Sequence, residues 1–300
     1  MIGVDFGGTA IKAGIVRDGR VVRSVQVPTP RTEGPDRVMN AIASAVLELE
    51  PSPESVGVAI PGEVDPTGLC WGLPNVPGFK GVALGRGLSE RLRCPVAVEN
   101  DATTAALGEY LHGHGSRYPS FLMITLGTVI GGGLVIGGQL YPGSNGFAGE
   151  IGHINVDPSE DAPLCGCGKR GCLETYSGTP ALTRKFAELG GGEVTEIRDI
   201  AASVRRGELA GIETFRMMGM ALGRGLANIQ NVLDLNALIF SGGISKSFDL
   251  LEPLVREGLR KYSFAEPPAE VPLVVSELGA TAGVVGAAYL TTIGAPDSIE

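Results

Sequence analysis

Apolar and polar positions change their period several times along this chain, and those changes predict its elements. Met1 to Val4 is a short apolar, β-branched run that ends at Asp5, and Gly7-Gly8-Thr9 turns the chain into a second run, Ala10 to Val16. Asp18-Gly19 is a hairpin signal, after which Val21, Val22, Val25 and Val27 carry a third strand until Pro28 and Pro30 close it. Three antiparallel strands are expected to open the fold. Val38, Ile42, Ala45, Val46 and Leu49 then recur at helical spacing, and Pro51 and Pro53 forbid continuation. Val56 to Ile60 and Val96 to Val98 read as buried strands, the second ending in Glu99-Asn100-Asp101 at the head of an alanine-rich helix that runs to about Leu111. Farther on, helices are expected at Thr179 to Leu189, Thr195 to Arg206, Glu213 to Val232 and Phe248 to Arg260, with strands at Asn236 to Phe240 and Val271 to Val275. The last helix, from about Ala280 to Thr292, is rich in Ala and Gly, which suits close approach of two elements.

The opening pattern recurs. Shifted by 119 places, Gly8-Thr9, Ile11, Gly14 and Gly19 fall on Gly127-Thr128, Ile130, Gly133 and Gly138, and Ile15-Val16 falls on Leu134-Val135. Duplication of a strand-turn-strand unit explains the match. In that register Asp5 lies opposite Ile124, so only the first copy carries a charge. The expected architecture is α/β, two related halves of sheet with helices on them, with one domain made of residues 1–113 plus 281–300 and the other of 114–280.

Composition narrows the function. A net charge of -9 and the absence of any basic run argue against nucleic acid as a partner, because phosphate backbones demand clustered Lys and Arg. No leader precedes the first strand and no stretch stays apolar long enough to span a bilayer, so a cytoplasmic protein without membrane contact is expected. The 46 glycines sit in groups at the ends of apolar runs, the arrangement that tight turns against a ligand need.

Two of those turns, Gly7-Gly8-Thr9 and Gly127-Thr128, follow strands and offer backbone N–H groups and a hydroxyl to the oxygens of a polyphosphate. Each is also an ordinary hairpin turn, and neither is a Walker loop or a dinucleotide fingerprint. Gly132, Gly242 and Gly243 join them as candidates. Asp5 could reach phosphate-bound Mg2+ directly or through water, while Lys12 either assists or points at solvent. Asp101, following a strand and starting a helix, reads either as an N-cap or as the carboxylate that accepts a proton from an attacking hydroxyl, with Glu99 and Asn100 beside it.

The stretch Glu150 to Glu174 holds three of the five cysteines and one of the three histidines. Cys165, Cys167 and Cys172 are separated by glycines that let the backbone aim three thiolates at one point, and His153 supplies a fourth ligand: a Cys3His zinc site. Cys165 and Cys167 are too close in sequence to pair easily as a disulfide. Cys70 and Cys94 stand in apolar surroundings and are expected to be buried and inert.

Taken together, Asp5-Phe6-Gly7-Gly8-Thr9, Glu99-Asn100-Asp101-Ala102, Leu126-Gly127-Thr128, Glu150-Ile151-Gly152-His153 and Cys165 to Glu174 resemble the ROK family of sugar kinases over essentially the whole chain. The resemblance implies a duplicated actin-like ATPase (ribonuclease H-like) fold, with ATP and Mg2+ as co-substrate, a structural Zn2+, and a nucleotide and sugar cleft between two domains. It implies Asp101 as general base on the 6-hydroxyl of a hexose, glucose first. Mannose, fructose and the N-acetylated aminosugars are the alternatives. Asn75, Asn100, Asp101, Glu150, His153 and Glu174 would hold the sugar, and the assembly would be a homodimer or homotetramer. The chain departs from the family's pattern at Thr103, where Asn is frequent, and at Gly78-Phe79, where Trp is frequent. A sugar-responsive regulator of the same family would need a helix-turn-helix before the first turn, and none is expected with that turn's Asp at position 5.

Overall fold

The computed structural model describes residues 1–65, 67–74 and 76–292, so the sugar-site candidate Asn75 lies outside the described residues. Strands β1 (Ile2–Phe6), β2 (Ala10–Arg17) and β3 (Arg20–Pro28) form the expected antiparallel start, and α1 (Pro35–Leu49) follows. After β4 (Val56–Ile60) come a two-stranded hairpin, β5 (Glu63–Val64) and β6 (Cys70–Gly72), and helix α2 (Leu84–Leu92). Strand β7 (Val96–Asn100) then leads into α3 (Asp101–His112). The first large sheet runs β3-β2-β1-β4-β7, with β1, β4 and β7 mutually parallel. Its core includes Val4, Phe6, Ile11, Ile42, Val58 and Leu84, all fully enclosed.

Strands β8 (Phe121–Leu126), β9 (Ile130–Ile136) and β10 (Gln139–Leu140) begin the second half. It continues with helices α4 (Glu174–Ser177), α5 (Thr179–Glu188), α6 (Ile197–Arg205) and α7 (Leu209–Leu233). Strand β11 (Ala237–Ser241), α8 (Phe248–Tyr262), α9 (Glu266–Ala269), β12 (Leu273–Val275) and α10 (Ala282–Tyr289) complete the chain. Helix α7 starts at Leu209, ahead of the expected Glu213, and its first turn holds the solvent-facing Leu209 and Ile212 together with Gly211. The second sheet runs β10-β9-β8-β11-β12, the same order as the first sheet position by position.

The repeat is therefore real, and the structure refines its register. In β1 the half-buried position is Asp5, next to last, and in β8 it is Thr125, also next to last. Ahead of the turns the shift is thus 120, whereas β2 and β9 match at 119, Ile11 with Ile130 and Arg17 with Ile136. The second turn is one residue shorter: Gly7 N–H donates to Ala10 O, but Gly127 N–H donates to Val129 O. The counterpart of Asp5 is Thr125 rather than Ile124, which corresponds to the equally enclosed Val4.

The chain packs as two compact units. The first comprises Met1–Pro119, Gly133–Ala148 and the chain from Glu277 onward, and the second Ser120–Gly132 with Gly149–Ser276. Segment 133–148, expected with the later residues, is held in the first unit: a Cβ at Gly133 would lie 2.3 Å from the Ala102 carbonyl, and one at Gly146 2.3 Å from the Val64 carbonyl. The return at Glu277 and Leu278 is fixed by the buried Glu109 carboxylate, which accepts both backbone N–H groups. Cys70 and Cys94 are buried, and desolvation pushes the Cys70 thiol up to about 11. Among the described residues no helix is long and apolar enough to cross a membrane.

Helix α10 lies backbone to backbone on the first sheet and on α3. Cβ atoms at Gly3 and Gly57 would fall 2.0 Å from Val284 O and 1.7 Å from Ala287 O, and one at Gly286 1.8 Å from Thr104 O. Gly57→Ala is expected to cost at least ~1–3 kcal/mol, because the obstacle is backbone that cannot swing aside. A urea midpoint equal to that of the parent would show the helix is not seated this tightly.

Candidate active site

In the first unit, the turn after β1 is tied down by the chain beyond β3. Thr29 Oγ1 donates to Gly7 O at 2.6 Å and Thr29 N–H donates to Thr9 O at 3.0 Å. The N–H groups of Gly8 and Thr9 have no partner among the described residues, as an anion-binding turn requires. Asp5 and Lys12 are cross-strand partners on one face, Lys12 Nζ lying 4.0 Å from Asp5 Oδ2. Lys12 thus turns toward the acidic group. Burial raises the Asp5 carboxyl above the usual carboxylate range and the Lys12 charge opposes the rise, so a cation at this spot would be well received.

At the β7–α3 junction the N-cap is Asn100, not Asp101. Asn100 Oδ1 accepts the N–H groups of Ala102 and Thr103 at 2.9 and 3.0 Å, and its Nδ2 donates to Gly62 O at 3.2 Å. Asp101 occupies the first helical position, one residue past the cap. Of the Asn100 side chain, one N–H is left for a ligand. The Glu99 carboxyl is raised by burial to about 7, while the Asn100 N–H that it accepts at 2.7 Å works against the rise.

The second unit repeats the turn device. Thr179 Oγ1 and Thr179 N–H both donate to Gly127 O at 3.0 Å, and Thr128 N–H has no partner among the described residues. Gly242, at φ +89, carries a hydrogen where a Cβ would lie 2.3 Å from Leu126 O, so the loop after β11 is pressed against the end of β8. Gly243 beside it is open, with nothing within 4 Å of a Cβ. Gly132 differs from the other candidates: a Cβ there would lie 2.5 Å from Gly149 O, so packing of segment 149–153 already requires this glycine.

The four expected zinc ligands converge. Ligand atoms of His153, Cys165, Cys167 and Cys172 all lie within 4.8 Å of one another. Cys167 Sγ is 3.7 Å from Cys172 Sγ, and Cys165 Sγ is 3.6 Å from His153 Nδ1. A tetrahedral ion with Zn–S near 2.3 Å and Zn–N near 2.0–2.1 Å has edges of roughly 3.8 and 3.5 Å, so the donor set fits in chemistry and in spacing. Glu174 Oε1 accepts the Cys165 thiol at 2.8 Å and stands 3.8 Å from His153 Nδ1. The other ring nitrogen, Nε2, faces Glu150 Oε2 at 4.0 Å.

Sequence reasoning missed Thr29, Thr179 and Gly62. Thr29 is boxed between two prolines and Thr179 begins a helix, so each has a local explanation that hides its bond to a distant glycine carbonyl.

Two sheets of one topology, each with a pinned turn after its first strand, define the actin-like ATPase class of fold. The ROK family model matches residues 1–293, and the chain belongs to the ROK family. It is similar to a glucokinase of Streptomyces coelicolor, 36% identical over 96% of each chain, and to an N-acetylmannosamine kinase of Vibrio cholerae, 31% identical over 84% of this chain and 87% of that one. A ROK family glucokinase from Streptomyces griseus, solved in complex with glucose and AMPPNP, superposes with a TM-score of 0.83 at 35% identity, covering 96% of this chain and 98% of that one.

Glu99 generates a prediction for stability. A carboxyl whose folded value of about 7 exceeds its ordinary 4.5 holds its proton more tightly in the folded chain. Its contribution is complete below the ordinary value and is lost as pH rises through the folded one. Glu99→Gln should therefore gain stability relative to the parent between about pH 5 and about pH 8. Urea midpoints of both proteins at the two pH values check this, and a constant difference would contradict it.

Proposed function

We propose that this chain is an ATP-dependent hexose kinase that phosphorylates the 6-hydroxyl of glucose. The observation that carries the reading is the β7–α3 junction, where Asn100 caps the helix and Asp101 stands at its first position, inside the positive end of the helix dipole. Asp101 would accept the hydroxyl proton as that oxygen attacks the γ-phosphorus of ATP; the new sugar O–P bond forms as the bond to the β,γ-bridging oxygen breaks, and ADP leaves. The turns at Gly7-Gly8-Thr9 and Gly127-Thr128, with Gly242 and Gly243, would take the polyphosphate on backbone N–H groups, and Asp5 would serve the Mg2+ that accompanies it. Likeness to glucokinases over nearly the whole chain supports glucose ahead of an N-acetylated sugar.

Asn100, Glu150, His153 and Glu174 would hold the sugar, with Asn75 as a further contact. Zinc, held by His153, Cys165, Cys167 and Cys172, would supply rigidity and keep the cysteines as thiolates. The Cys165 proton would then be gone, leaving Glu174 Oε1 to accept from a sugar hydroxyl. A homodimer or homotetramer in the cytoplasm is the expected form.

Asp101→Asn should lower turnover by roughly 100- to 10,000-fold while nucleotide binding survives. Steady-state rates with a hexose panel, beside calorimetric titration of the nucleotide, test this. Turnover within a few-fold of the parent would remove Asp101 from the chemistry.

His153→Cys separates metal from sugar. Four thiolates still make a stable zinc site, but the Nε2 donor is lost. Zinc at about one per chain, with a hexose KM raised by the ~1–3 kcal/mol that an unmet buried hydroxyl costs, is the expected result. Retained zinc with an unchanged KM would make His153 structural only.

A further inference from the structure

Most large apolar side chains of the first unit are buried, but its one tryptophan is not. Trp71 is 52% exposed and stands beside Phe147, 43% exposed, with ring centroids 6.2 Å apart and planes tilted by 55°. Two independent backbone features aim this pair. In the β5–β6 hairpin Glu63 pairs with Gly72 and Val64 with Cys70, so Trp71 is the extra residue of a bulge. Bulges re-aim side chains, and here Cys70 takes the core side while Trp71 is turned out. Gly146, at φ +81, sits where a Cβ would be 2.3 Å from Val64 O, which presses its loop onto the same hairpin and sets Phe147 against Trp71.

The hairpin is also fastened to the catalytic junction. Asn100 Nδ2 donates to Gly62 O, and a Cβ at Gly62 would lie 2.2 Å from Gly72 O, next to Trp71. The Glu63 carboxylate lies on this edge, its Oε2 3.9 Å from where a Cβ on Gly72 would be. Two tilted rings at a hairpin that also carries a carboxylate match a pyranose, which offers an apolar C–H face and a rim of hydroxyl donors.

We propose that Trp71, Phe147 and Glu63 form an aromatic sugar subsite that takes the C–H face of the pyranose held at Asn100-Asp101, with Glu63 accepting one of its hydroxyls. The inference rests on reading Asp101 as the base of a hexose kinase, and its test separates the two. Because Trp71 is the only tryptophan, the emission of the full chain reports this position alone. Titration with glucose and no nucleotide should shift that emission saturably to shorter wavelength and protect it from acrylamide. Glycerol should do neither.

In kinetics, Trp71→Ala and Phe147→Ala should each raise the hexose KM about 3- to 10-fold with kcat nearly unchanged, the scale of an aromatic contact, and Trp71→Phe should recover most of the loss. Emission that ignores glucose at concentrations saturating turnover, with a parental KM in Trp71→Ala, would overturn the subsite while leaving the kinase intact. The rings would then be a surface for another chain or for nothing. Emission that responds to glucose in a protein that phosphorylates no hexose would keep the subsite and overturn the kinase reading. Neither response nor phosphorylation would overturn both.

Discussion

The arrangement around Asp101 depends on the carboxamide of Asn100. Helix α3 begins with N–H groups that need acceptors, and an Asp in the cap position would surrender its oxygens to them. Asn100 takes that duty with one oxygen serving two N–H groups, and its nitrogen reaches Gly62 across the neighbouring strand. Backbone pairing supports the bond, since β7 and β4 are in parallel register with Asn100 opposite Ile60. Position, cap and loop are therefore fixed by one side chain, and the helix N-terminus favours the negative charge placed there. Replacing Asn100 by Ala would forfeit the cap and free the Gly62 loop together.

A second constraint acts at the two turns. In each, a threonine hydroxyl from a later part of the chain holds the carbonyl of the first glycine, Thr29 on Gly7 and Thr179 on Gly127. A fixed carbonyl fixes the peptide plane, and with it the direction of the following N–H. The ordering cost of an anion-binding turn is thus met within the fold rather than at ligand binding. The copies then diverge at the half-buried place before the turn, Asp5 in one and Thr125 in the other. Only the first combines a carboxylate with the neighbouring Lys12 amine, so the shared backbone device carries two electrostatic settings.

Much of this was legible because apolar period and glycine punctuation are local signals. Helix α1 and strand β4 fall where the spacing of their apolar positions put them, and the zinc ligands converge as the Cys and Gly pattern implied. What sequence could not show depends on partners far along the chain. The Asn100 carboxamide that caps α3 is also held by Gly62, and the register of the repeat slips by one because the two turns close over different lengths. Segment 133–148 belongs with the first unit through glycine contacts to Ala102 and Val64, which no periodicity encodes. The same limit hid the meaning of the alanines and glycines of α10: their number suggested close packing, but only the carbonyls they meet say against what.

The zinc loop ends this chain of dependence in the opposite way, with backbone serving side chains. Gly168 and Gly171 take φ +83 and +73, and a Cβ at Gly171 would lie 1.9 Å from Asp157 O, so only glycine lets Cys172 return toward Cys165 and Cys167. His153 enters the cluster by Nδ1, and ligation there would leave its proton on Nε2, the nitrogen that faces Glu150. A ring so held presents a donor beside one acceptor, Glu150, while Glu174 stands as a second acceptor on the cluster side. Donors and acceptors in fixed positions discriminate among ligands by which hydroxyls they leave unpaired. A metal held by these four residues would thus contribute by fixing the ring that carries the donor.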